Sequence, residues 1–185
     1  MLIESFLDYL RLERNYSERT IVSYRTDLRE FGGFLENTEA ELDWKKVHAD
    51  HVRNWMVSLM EGGKAATSVN RKLSSLRSFY RFLLRKKLVA VNPMLKIVGP
   101  KKKKPLPFFV REKDMNRLLD EIPFKEGFEG CRDRTILEMF YATGMRLSEL
   151  IGLNDVDVDF SAKLVKVTGK RNKQRLIPFG NELEK

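Results

Sequence analysis

The chain has 185 residues, with 35 Lys/Arg against 26 Asp/Glu and a formal net charge of +9, which suits one or two domains and a polyanionic partner or an anionic membrane surface. Its longest apolar runs are a few residues, too short to span a bilayer, and Met1 to Ser5 carry an early acid and no basic leader, so a secretory signal is not expected. The single cysteine, Cys131, rules out an internal disulfide and fits a reducing compartment, the cytoplasm, while His48 and His51 alone make a structural zinc site improbable.

The first half reads as four helices. Residues 2–13 place Ile3, Phe6, Leu7 and Leu10 on one face. Ser17 is a suitable N-cap for a second helix reaching about Leu35, where Ile21, Tyr24, Leu28, Phe31 and Leu35 follow the helical period. Gly32 and Gly33 weaken its end, and Asn37 to Asp43 form an acidic loop. A third helix, about Asp50 to Met60, buries Val52, Trp55, Met56 and Leu59 and stops at Gly62-Gly63. The fourth runs from about Thr67 to Lys87 with a core stripe of Val69, Leu73, Leu76, Tyr80 and Leu83.

The opposite face of that fourth helix carries Arg71, Ser74, Ser78, Arg81 and Arg85 in a sector about 80° wide. Between Glu61 and Glu112 there is no acid at all, and residues 1–107 hold all the excess positive charge. A one-signed stretch repels itself unless a phosphate backbone neutralises it. Arginines and short hydroxyls on such a face suit phosphates and guanine edges; a solvated basic face or a localisation signal is the alternative. Phe82 lies beside the sector and is expected to pack against a loop or a second domain. Val91-Asn92-Pro93 ends the first domain, residues 1–98. Residues 99–107, with Lys101, Lys102, Lys103 and Lys104 between prolines, read as a stiff basic linker able to follow a duplex backbone.

Residues 108–185 change character. A helix from Val110 to about Ile122 turns Met115, Leu118 and Leu119 inward; Pro123 to Gly130 is a loop; a helix follows over about Arg132 to Tyr141, ended by Thr143-Gly144; and a short helix spans Leu147 to Leu153. The period then becomes two, with strands at Val156 to Phe160, Leu164 to Val167 and Arg175 to Pro178, giving a small three-stranded antiparallel sheet.

Two places can carry chemistry. Arg146 sits at the start of the short helix, where free N–H groups and the helix dipole favour an anion, and Glu149 lies one turn on, able to hold the guanidinium. An ordinary surface ion pair is the plain alternative. Lys170 lies in the turn Gly169 to Lys173 between two strands, where it either enters a ligand site or forms a polar turn. The Gly-Lys pair lacks the context of a P-loop.

The stretch Tyr141-Ala-Thr-Gly-Met-Arg-Leu-Ser-Glu-Leu-Ile-Gly-Leu153 resembles the first catalytic-arginine motif of the tyrosine site-specific recombinases, the phage integrase and Xer type. Val167-Thr-Gly-Lys-Arg-Asn-Lys-Gln-Arg-Leu-Ile-Pro178 resembles their lysine-bearing β-hairpin. The resemblance covers nearly the whole chain and is closest to the Xer-like and integron/phage-type bacterial members. It implies a mainly α, four-helix, SAM-like core-binding domain followed by the first part of an α+β catalytic domain. It also implies duplex DNA as partner, assembly of recombinase protomers on that DNA, and neither metal nor small-molecule cofactor. By the same resemblance Arg146 binds the scissile phosphate, Glu149 supports it, Lys170 protonates the 5′-oxygen leaving group, and the fourth-helix face, the linker lysines and Lys173 meet DNA.

The family's His-x-x-Arg pair, further His or Trp, and nucleophilic tyrosine all follow the hairpin. The five tyrosines here precede it and the chain stops at Lys185, so this polypeptide is expected to bind DNA without cutting it unaided. A stand-alone DNA-binding or regulatory module of the same fold is the competing expectation. An RNA-binding helical protein is a third, for which no row of exposed aromatics is evident.

Overall fold

A computed structural model describes residues 2–38, 43–102, 106, 108–169 and 172–184, with side chains except at 182 and 184. They form two compact units, Met1–Pro105 and Leu106–Lys185.

The first unit is helical. Helix α1 (Leu2–Asp8) continues into a wider π-helical turn, Tyr9–Glu13, that ends where Asn15 takes a left-handed backbone (φ 50°). Helices α2 (Glu18–Thr38), α3 (Ala49–Glu61) and α4 (Ala66–Arg85) follow. Helix α2 runs through Gly32-Gly33, and residues 39–42 of the expected acidic loop lie outside the described residues. Gly63 (φ 75°) closes α3, with Lys64 N–H donating to Leu59 O at 3.0 Å.

The apolar stripes meet as their period dictates. Phe6, Leu7, Ile21, Leu28, Phe31, Val52, Trp55, Val69, Leu73, Leu76, Tyr80 and Leu83 are all buried in one core. Trp44, beyond α2, joins them: it packs edge-on against Phe79 at 5.0 Å, and its carbonyl accepts the Tyr80 hydroxyl at 3.2 Å. Phe82 corrects an expectation. It is buried within this unit, stacked on Tyr9 at 5.1 Å and against Phe6 at 5.4 Å, because the π-helical turn carries Tyr9 across that side of α4.

The residues after Pro93 still pack with this unit. Met94 and Ile97 enter the core, and Arg77 holds Ile97 O at 3.2 Å. Asn70 Nδ2 donates to Pro100 O at 2.8 Å, and Gly99 lies so close to Asn70 that a Cβ there would sit 2.1 Å from its Oδ1.

The second unit holds α5 (Glu112–Asp120), α6 (Phe128–Thr143), α7 (Leu147–Ile151) and strands β1 (Val158–Asp159), β2 (Leu164–Thr168) and β3 (Gln174–Pro178) in an antiparallel sheet of that order. Val165 faces Ile177 and Val158, and Val167 faces Arg175. Helix α6 begins four residues earlier than expected, after Gly127 at φ 82°. The first strand is shorter than the alternation of Val156, Val158 and Phe160 suggests. Asp157 accepts from Asn154 N–H at 3.2 Å and pairs with Lys166 at 3.0 Å, which winds Asp155–Asp157 into a 3-10 turn and leaves Val156 exposed. Among the described residues only Met145, Val165 and Val167 make the fully buried apolar centre beside α7 and the sheet. No described helix is long and apolar enough to cross a membrane.

Candidate functional site

Gly144 ends α6 in the left-handed region (φ 58°), its N–H closing on Phe140 O at 3.0 Å. The chain then turns sharply, Met145 is buried as an anchor, and Arg146 becomes the extended N-cap residue of α7. Glu149, three residues on, folds back so that its Oε2 accepts Arg146 N–H at 2.8 Å, the glutamate half of a capping box. Its Oε1 accepts the Arg146 guanidinium at 2.8 Å.

A second guanidinium grips the same carboxylate. Arg175, on β3, donates at 2.6 Å to Oε1 and 2.8 Å to Oε2, a bidentate fork. The Glu149 side chain has no exposed surface, while Arg146 keeps 68% of its side chain exposed. The fork from Arg175, followed by the bonds from Arg146, holds the Glu149 carboxyl down at about 2, below its ordinary 4.5. Two cations on one anion leave a net positive charge at the rim. Arg146 Nε and its other terminal nitrogen have no partner among the described residues.

The N–H of Arg146 is already satisfied by Glu149, and α7 is barely more than one turn long. The outward guanidinium is the exposed cation at this helix start. Lys170 lies outside the described residues, as do Lys103 and Lys104. The turn that carries Lys170 is closed by Gly169 N–H on Lys173 O at 2.8 Å, and the Lys173 side chain is exposed.

In the helical unit, the outer face of α4 is less uniformly free than its sequence suggests. Arg71 is held by Asp27 of α2 through contacts of 2.5 and 2.8 Å and also meets Ser23 Oγ at 2.7 Å. Lys72 is buried on Asp27 and Glu30. The carboxylates missing from α4 are thus supplied by α2. Ser74 and Ser78 donate their hydroxyls to carbonyls one turn back, at 2.9 and 3.0 Å. Arg85 lies over the Tyr9 ring, 4.4 Å from its centroid, while Arg81 is exposed and without an ion pair among the described residues. Arg81 and Arg85 share a cleft with Arg14 and Tyr16; Arg71 and Ser74 share another with Arg19, Thr20 and Ser23. Lys101 and Lys102 are exposed.

Residues 3–87 match the family model for the phage integrase N-terminal SAM-like domain, and residues 109–185 match that for the phage integrase family. The tyrosine recombinase XerC of Staphylococcus carnosus is 43% identical over 178 residues, 96% of this chain and 59% of that relative. The chain belongs to the phage integrase family of tyrosine recombinases.

The chain spans about three-fifths of the length of that curated relative. The fold is similar to the Tn1549 transposon integrase (aa 82-397) in complex with circular intermediate DNA, with a TM-score of 0.73 and 16% identity over 99% of this chain and 62% of that one. It is also similar to a lambda integrase (75-356) dimer bound to a COC′ core site, with a TM-score of 0.71 and 14% identity over 98% of this chain and 63% of that one. Within this integrase-family chain, sequence reasoning paired Arg146 with Glu149 but missed Arg175, Asp27, Arg14 and Arg19. Arg175 stood inside the quoted hairpin motif as an unassigned cation on the alternating strand. Asp27 meets its donors, and Arg14 and Arg19 come to line clefts with α4, only through packing against that helix, which periodicity does not report.

Proposed function

We propose that this chain grips duplex DNA with its helical unit and presents Arg146 to one backbone phosphate, within a protein that carries out site-specific recombination by strand cleavage and rejoining. The observation that carries this reading is Arg146: a guanidinium fixed by a buried carboxylate yet largely open to solvent. A permanent cation held in place is complementary to the negative charge that builds on a pentavalent phosphorane, and it needs little reorganisation as that charge develops. Glu149 supports Arg146. Lys170 donates the proton to the 5′-oxygen as the P–O5′ bond breaks. A tyrosine oxygen forms the new bond to phosphorus, giving a 3′-phosphotyrosine link that a 5′-hydroxyl of the partner duplex later displaces.

Residues 1–98 supply the duplex-binding domain, 99–107 the basic linker and 108–185 the phosphate-handling domain. Arg81 and Arg85, with Arg71, Ser74 and Ser78 beside them, track the backbone, joined by Lys101 to Lys104 and Lys173. Recombinase protomers assemble on the DNA, as the lambda integrase dimer does on its core site, and the protein works in the cytoplasm, with the nucleoid at hand.

The test is duplex binding by fluorescence anisotropy across a salt series. Arg146→Ala and the double variant Arg81→Ala/Arg85→Ala are each expected to weaken binding and flatten the log-log salt slope by about 0.9 for each phosphate that is no longer neutralised. Slopes parallel to the wild type for both would overturn the reading.

A further inference from the structure

The Glu149 carboxylate is shared. Arg146 reaches it from the N-cap of α7 and Arg175 from β3, twenty-six residues beyond Glu149. Each oxygen accepts one bond from Arg175 and one from Arg146, so all four contacts at 2.6–2.8 Å define a single orientation of the carboxylate. Glycine at 169 makes room for this: a Cβ there would stand 2.8 Å from Glu149 Oε1 and 3.6 Å from an Arg175 terminal nitrogen. Gly169 is also the residue before Lys170, and its N–H fixes the turn on Lys173 O. The carboxylate is therefore packed between the arginine-bearing helix start and the hairpin.

We propose that Arg175 is a positioning residue for the reaction: by clamping Glu149 bidentately it sets the direction of the Arg146 guanidinium and ties that guanidinium to the hairpin that carries Lys170. This rests on the reading of Arg146 as the phosphate clamp. The physical reason is geometric. Arg146 holds Glu149 Oε2 through its backbone N–H but Oε1 through a single terminal nitrogen, so its guanidinium rests on one bond to one oxygen. The Arg175 fork adds a second bond to each oxygen and fixes where that Oε1 stands, and a lysine at 175, with one point charge and no planar fork, cannot hold both oxygens. The buried carboxylate also stays charged because Arg175 is its strongest partner, so the clamp persists through the physiological pH range.

A double-mutant cycle on duplex affinity tests it, together with nuclear magnetic resonance of the Glu149 carboxyl carbon and the Arg146 Nε–H. Arg175→Lys keeps the charge and is expected to weaken binding about threefold to fivefold. In an Arg146→Ala background, itself about tenfold weaker, it is expected to cost nothing further. Arg175→Gln should raise the Glu149 titration midpoint from about 2 toward 4.5 and shift the Arg146 Nε–H signal. Gly169→Ala, which leaves both arginines in place, should shift that same signal and weaken binding, and it decides the matter if the Arg175 variants do not fold.

A loss from Arg175→Lys that persists in the Arg146→Ala background would make Arg175 a direct DNA contact and overturn the inference. So would an unmoved Glu149 midpoint. If Arg146→Ala leaves affinity unchanged while the Glu149 and Arg146 signals still move in the Arg175 variants, the positioning role stands and the phosphate-clamp reading fails.

Discussion

Each unit contains one buried carboxylate ringed by cations, and the two are used differently. Asp27 lies among the apolar side chains of the helical core and accepts from Arg71, Lys72 and Ser75, all on α4. Glu149 lies beside a small core cluster of three buried apolar residues, Met145, Val165 and Val167, and it accepts from two arginines that both reach solvent. At Asp27 both cations join helices: Lys72 is itself buried, and Arg71, though half exposed, gives both terminal nitrogens to the carboxylate. At Glu149 one cation, Arg146, gives one terminal nitrogen and is left in part unspent. A buried acid thus marks a packing joint in one place and a presented guanidinium in the other. The difference lies in how much of the guanidinium is already bonded.

The comparison breaks first at Asp27. Asp27→Ala leaves the Lys72 ammonium buried, with only Glu30 to face it and Ser75 unpaired. Removing one partner of a buried pair costs about 3–5 kcal/mol. Urea or thermal unfolding of the helical unit should show a loss of that size. A loss under about 1 kcal/mol would mean that the joint is no stronger than a surface ion pair.

That joint shows where sequence reading stops. The stripes of α2 and α4 are legible because burial repeats every 3.6 residues, and Val69, Leu73, Leu76, Tyr80 and Leu83 are all buried as their spacing requires. Asp27 reads as one more polar residue of α2, since its donors lie more than forty positions away. The acid-free window of α4 is real as sequence, yet two of its cations are neutralised by α2. In the second unit, Thr143-Gly144 and the Arg146–Glu149 spacing are local signals, and both hold. The strand expected over Val156 to Phe160 is shortened to Val158–Asp159 because Asp157 prefers side-chain contacts with Asn154 and Lys166 to a longer ladder. Arg175 requires the β2–β3 register, which no window of sequence supplies.

The next effect is a pH dependence. The folded-state value of Glu149, about 2, lies below its ordinary 4.5. Its contribution to stability is therefore complete above about pH 4.5 and is lost as pH falls through about 2. Arginine side chains in general stay charged over that range. In Glu149→Gln the midpoint of thermal unfolding of the second unit should fall at neutral pH, and its acid limb between pH 4.5 and 2 should flatten relative to wild type. An acid limb as steep as before would assign that dependence to other carboxylates.

The smallest effect sharpens the contrast from the other side. The second unit also carries exposed pairs four residues apart, Arg117–Glu121 and Lys125–Glu129, at 2.8 and 3.1 Å. By distance the first matches the contacts at Glu149 and the second is only slightly longer. Both partners are solvated, however, so little changes when one is removed, and salt screens what remains. Glu121→Ala should change unfolding stability by less than about 0.5 kcal/mol, with Arg175 and Arg146 signals unmoved. A larger change would mean that distance alone ranks these contacts. A change near zero, beside a clear effect of Glu149→Gln, would show that burial of the carboxylate is what turns an arginine–glutamate pair into a device for aiming a charge.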